Sequence, residues 1–156
     1  MMQKKVQIIS DGSLDLSQEL TKEKDIEVVP FYVSFDSETY QKEMVEVGVR
    51  EFYQEMVDHP TVFPKTSMPS VHDYYEVFEK HAKEKMPVIC ICITRKFSGS
   101  LQSATTAKDM ILEEYPDAQI TVIDSTVNTV LQGLYVLEAC LSLIHISEPT
   151  RLLSIS

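Results

Sequence analysis

Apolar and polar positions along the chain switch between two periods, and each switch marks an element. Val6-Gln7-Ile8-Ile9-Ser10 has the β-branched run of a short strand, closed by Asp11-Gly12-Ser13. Leu14 to Lys24 reads as a helix, with Ser17 placed as an N-cap and Leu16 and Leu20 facing inward. Ile26 to Phe35 is β-branched and aromatic, so it reads as extended, and Pro30 sets it near an edge or a bend. Val49, Phe52, Tyr53, Met56 and Val57 recur at helical spacing and form one apolar stripe.

His59 to Ser70 carries Pro60, Pro64 and Pro69 and reads as an irregular loop. Val71, Tyr74, Tyr75, Phe78 and Ala82 then repeat the helical stripe, and Ser70 with Asp73 forms a capping box with a shortened acid. Val88 to Ile93 is apolar at every position, as in a strand covered on both faces. Leu101, Ala104, Ala107, Ile111 and Tyr115 make a third stripe, stopped by Pro116. Gln119 to Asp124 reads as a further strand, and Val130 to Cys140 as a helix. Strands alternating with helices predict an α/β fold: a three-layer α/β/α domain around a mainly parallel sheet.

Composition narrows the function. With 156 residues, 44% apolar and 24% charged, the chain has the make-up of one globular domain. A net charge of −10 disfavours nucleic acid and anionic membrane surfaces, so an anionic ligand must be held by a local arrangement. The apolar run after Met1 is too short for a signal peptide, and none is long enough for a membrane span, which points to the cytoplasm. Three cysteines make no disulfide framework; Cys90 and Cys92 are read as pointing to opposite faces of their strand. His59, His72, His81 and His145 show no metal-ligand spacing, and the glycines form no nucleotide fingerprint, so neither metal nor cofactor is expected.

Open parallel sheets take ligands beyond the carboxyl ends of their strands. Three such ends are rich in small hydroxyls: Ser10-Asp11-Gly12-Ser13, Thr94 to Ser100, and Asp124-Ser125-Thr126. At the second, free N–H groups of a helix N-terminus favour a carboxylate or phosphate oxygen, Ser98 and Ser100 add hydroxyls, and Gly99 lets a ligand approach the backbone. The same residues also read as an ordinary N-cap and turn, and Asp11 and Asp124 as strand-end turn residues.

Four segments in order resemble the DegV family of bacterial fatty-acid-binding proteins: Ile9 to Leu16, Val28-Val29-Pro30-Phe31, Pro64 to Ser70, and Ile93 to Ala104. Val122-Ile123-Asp124-Ser125 with Gln132-Gly133 makes a fifth. The resemblance implies an α/β domain paired with a second one, a fatty acid held between them, and presentation of that lipid to a separate fatty-acid kinase that forms an acyl phosphate for phospholipid synthesis. It implies a carboxylate held by Thr66 and Ser67 on one loop and Ser98 and Gly99 on the other. Asp11, Ser13, Ser100 and Asp124 form a possible second tier.

Gly12 stands where many relatives carry Ser or Thr. The resemblance spans residues 1–140, the first half of a family member; residues 141–156 resemble translated sequencing adaptor and are expected to pack poorly. The distal His and Arg head-group contacts of the family have no counterpart, since His145 and Arg151 lie in that tail. One wall encloses an acyl chain incompletely, so weak lipid binding is expected. The rival reading is a small-molecule phosphotransferase or esterase with Ser98 or Ser100 as nucleophile; it lacks a histidine in the motif loops to serve as base.

Overall fold

The computed structural model describes residues 6–146, with side chains to residue 144. Four strands form a parallel sheet: β1 (Gln7–Asp11), β2 (Ile26–Val29), β6 (Val88–Cys92) and β7 (Ile120–Asp124), in the order β2-β1-β6-β7. Ile9 faces Glu27 on one side and Cys90 on the other, so β1 is central and all five of its residues are buried. Three further strands make a second, antiparallel sheet ordered β4-β3-β5: β3 (Tyr32–Ser34), β4 (Gln41–Lys42) and β5 (Lys65–Ser67). Pro30, which cannot donate to a ladder, falls where the chain leaves β2 for this sheet.

Helices α3 (Val71–Lys83) and α4 (Ser100–Glu114) cover one face of the parallel sheet, and α5 (Thr129–Ile146) the other. Tyr74, Phe78, Ala104, Ala107 and Ile111 pack against Ile9, Val29, Cys90 and Cys92. Leu14, Val136 and Cys140 pack against Ile8, Ile26 and Ile91. This is the three-layer architecture expected from the alternation of periods. The capping box is present: Ser70 Oγ accepts the Asp73 N–H, and Asp73 Oδ2 accepts the Ser70 N–H at 2.8 Å.

Three local expectations are corrected. Cys90 and Cys92 share a face, with sulfurs 3.8 Å apart, because residues two apart on a strand point the same way. The first helix, α1, runs only over Gln18–Glu23; Gly12–Leu14 form a 3₁₀ turn, and Asp15 breaks the path with φ 57°. Ser17 caps α1 as expected, accepting the Leu20 N–H at 3.2 Å. Thr66 and Ser67 sit in β5 rather than in irregular loop, because Pro64 and Pro69 bracket a proline-free segment that pairs with β3.

The stripe at Val49 to Val57 does form a helix, α2 (Val49–Asp58), yet none of its residues is buried. Helix α5 runs past residue 140 without a break, and Leu143 packs against the core. Residues 147–156 of the expected tail lie outside the described residues. Among the described residues no helix is long and apolar enough to cross a membrane, and no cluster could hold a metal ion.

Candidate functional site

Sheet order reverses between β1 and β6, so ligands are expected in the crevice beyond their carboxyl ends. Two segments from distant parts of the chain meet there. The loop after β5 brings Met68 against the start of α4, where a Cβ on Gly99 would stand 2.7 Å from Met68 Sδ. Gly99 and the Met68 thioether are thus in close contact, with no positive φ involved, and a side chain at 99 would displace the flexible end of Met68.

The hydroxyls split into two groups. Ser100 is wholly buried and donates to Asp11 Oδ2 at 2.8 Å, while the Tyr74 hydroxyl lies 2.6 Å from its oxygen. Ser98 is half-buried, and its oxygen accepts the Ser100 N–H at 3.2 Å in a turn just ahead of α4, whose N-cap is Gly99. That leaves the Ser98 hydroxyl hydrogen without an acceptor among the described residues. Thr66 and Ser67 are exposed, and no side-chain hydrogen bond engages either hydroxyl there. A cleft of ≈ 690 Å³ opens beside Thr66, walled by apolar Val33, Val47 and Phe52 and by Glu43.

The second tier separates in the same way. Asp11 is wholly buried; its carboxylate accepts the Ile93 N–H at 2.9 Å, the Ser100 hydroxyl, and the Gln132 amide at 2.8 Å. Burial pushes this carboxyl above its ordinary pKa, and hydrogen bonds from Gln132, Ile93, Ser100 and the Ser13 backbone offset that in part. Ser13 thus contributes its backbone rather than its hydroxyl. Asp124 accepts the Thr126 N–H at 2.8 Å and lies 3.7 Å from Arg95 Nε, the pattern of a strand-end turn. Gly12 makes room for Glu43, since a Cβ there would collide with Glu43 Oε1.

Sequence reasoning missed Tyr74 and Gln132 as partners of this region. Tyr74 lay in an apolar stripe and Gln132 in a helical run; the signals for Gln132 were its place in the Gln132-Gly133 segment of the resemblance and a polar residue at an inward helical position.

Ser100 is sealed from solvent, and no described histidine touches a serine hydroxyl. His59 and His72 pair with Glu55 and Glu76 on exposed helix faces, and His81 is buried against Glu27. An activated nucleophile of the serine–histidine kind is not assembled among the described residues.

The fold is a doubly wound α/β module, with a small antiparallel sheet beside its parallel one. The family is more definite. A model of the DegV family, described as uncharacterised, matches residues 5–143. A DegV domain-containing protein of Clostridium perfringens is 32% identical over 133 residues, covering 85% of this chain and 46% of the relative. One from Caldanaerobacter subterraneus subsp. tengcongensis is 36% identical over 135 residues, with shares of 86% and 46%. Among solved structures, a stearic acid-binding protein from Eubacterium ventriosum superposes with TM-score 0.87 at 47% identity, covering 90% of this chain and 48% of that one. A fatty-acid-binding DegV family protein from Thermus thermophilus gives 0.74 at 30% identity over shares of 90% and 48%. The chain belongs to the DegV family, and it spans about half the length of the relatives it matches.

Proposed function

We propose that the chain forms the head-group side of a long-chain fatty-acid site, acting as a cytoplasmic lipid-binding module rather than an enzyme. Thr66, Ser67, Ser98 and Gly99 hold the carboxylate, and the bound lipid is offered to a separate fatty-acid kinase. The observation that carries this reading is the set of unengaged donors. The hydroxyl hydrogens of Thr66 and Ser67 on β5 and of Ser98 ahead of α4 are unused, on two segments that Met68 and Gly99 bring into contact, whereas buried Ser100 is fully engaged. A helix N-terminus with free donors suits a carboxylate. The exposed Lys96, just before Ser98, opposes the net charge of −10 locally, while Arg95 is paired with Asp124. Solved relatives that bind stearic acid and other fatty acids share this fold.

Titration of the purified chain with stearate tests the reading. Saturable one-to-one binding is expected. Ser98→Ala removes a donor to a charged acceptor, worth roughly 1.5–3 kcal/mol, and weakens binding on the order of tenfold to a hundredfold. Unchanged affinity in a folded Ser98→Ala protein reduces Ser98 to a turn residue ahead of α4.

A further inference from the structure

The switch-point crevice of this sheet is already occupied from within by a carboxylate of the chain itself. Asp11 closes β1, and besides the neighbouring Ser13 backbone its carboxylate takes donors from three distant places: the Ile93 N–H after β6, the Ser100 hydroxyl at the first residue of α4, and the Gln132 amide in α5. The cluster extends outward on both sides. Ser10 Oγ donates to the Ile91 carbonyl at 2.9 Å and accepts from Gln132 at 3.1 Å, while Tyr74 on α3 reaches Ser100.

Gln132 reveals what this arrangement favours. It turns its amide N–H₂ toward Ser10 and Asp11, and its carbonyl oxygen is left buried with no hydrogen-bond partner. Leaving a buried acceptor unmade is costly, and the opposite amide orientation would set that oxygen against a carboxylate. The fold accepts the loss to keep donors on Asp11.

We infer that Asp11 is a positioning residue for the head-group site: by anchoring Ser100 from inside, its carboxylate sets the start of α4 so that Ser98 and Gly99 present their donors outward. The chain of contacts is continuous. Asp11 holds the Ser100 hydroxyl, the Ser100 N–H holds Ser98 Oγ, and that bond leaves the Ser98 hydrogen as the outward donor. The Gly99 N–H has no protein acceptor among the described residues. Asp11 itself is fully buried, so its carboxylate acts on the site only through the groups it holds. This inference rests on the fatty-acid reading above.

Positioning of a head group is separable from general support of the fold. Stearate and octadecanol share an acyl chain and differ in the carboxylate, so the ratio of their affinities reports the head-group site alone. Asp11→Ala is expected to lower that ratio about tenfold, with octadecanol affinity little changed. Asp11→Asn keeps the size and an acceptor oxygen, and Gln132 can turn its unpaired carbonyl to the new amide; this variant is expected to restore the ratio to within about threefold of the parent. If Asp11→Ala does not fold, Ser100→Ala decides, with an expected drop of about threefold. A folded Asp11→Ala or Ser100→Ala protein with the parent's ratio overturns the positioning role while leaving the fatty-acid reading intact. A parent chain that binds neither ligand, or both alike, overturns the reading and the inference with it.

Discussion

Helices α2 and α3 carry equally clean apolar stripes and meet opposite fates. In α3, Tyr74 and Phe78 are wholly buried between β1, β6 and α4, and both helix ends are tied down. In α2 no residue is buried, and Tyr53 and Val57 stand 60% and 71% exposed. Its described packing is slight: Phe52 stacks on Phe35 with ring centroids 5.2 Å apart, at the margin of the antiparallel sheet. The N-caps differ as well. Ser70 caps α3 through a reciprocal box, whereas Gly48 begins α2 with no side-chain cap. An amphipathic period makes a helix available for burial; it does not supply the surface that buries it.

The widest separation between the two helices is expected in their cores. Phe78→Ala should cost about 3–5 kcal/mol in denaturant unfolding, because it opens a cavity in a closed core. Tyr53→Ala on α2 should stay within roughly 0.5 kcal/mol. Equal losses would show that α2 is supported by contacts as strong as those of α3.

Asp73 comes next. Its carboxylate accepts from Ser70 twice and from the Tyr32 hydroxyl at 2.7 Å, which couples α3 to the antiparallel sheet. Burial pushes its pKa up, but the hydrogen bonds from Ser70 and Tyr32, with the Lys42 ammonium, outweigh it and hold the carboxyl below its ordinary value. A depressed folded pKa gives stability that is fully present above the unfolded carboxyl value and is lost as pH falls through the folded one. Asp73→Asn should therefore destabilise by roughly 1.5–3 kcal/mol near neutrality. It should also flatten the acid limb of a stability–pH profile measured by urea unfolding. An acid limb as steep as the parent's would assign that limb to other carboxylates.

The caps supply the two smallest effects. Ser70→Ala should cost about 1 kcal/mol in thermal or chemical melts. Gly48→Ser should stabilise by a few tenths of a kcal/mol, since Gly48 has φ −80° and nothing within 4 Å of the added Cβ. A loss there would mean that α2 needs the freedom of glycine at its start.

Much of the fold was legible because its signals are local. The all-apolar run at Val88 to Ile93 could only be a strand covered on both faces, and Ser70 with Asp73 announced the start of α3 four residues before its core begins. The candidate site was legible where hydroxyls and Gly99 cluster at a strand end. It was obscure where one residue's role depends on another far away. Ser98 and Ser100 look interchangeable in sequence, yet one keeps an unused hydroxyl hydrogen and the other is consumed by Asp11 and Tyr74.

The sequence by itself determined the periods, the caps, the parallel-sheet class and the motif pieces, since each depends on side chains within about one turn or one strand. Only the tertiary structure decided which stripe found a partner, that Thr66 and Ser67 pair with β3, and that Asp11 is an internal anchor. Three of the donors to the Asp11 carboxylate lie 82, 89 and 121 residues away along the chain. A turn aspartate and a buried hub are identical in sequence; what separates them is whether the fold brings donors from β6, α4 and α5 to the end of β1 and excludes water from them.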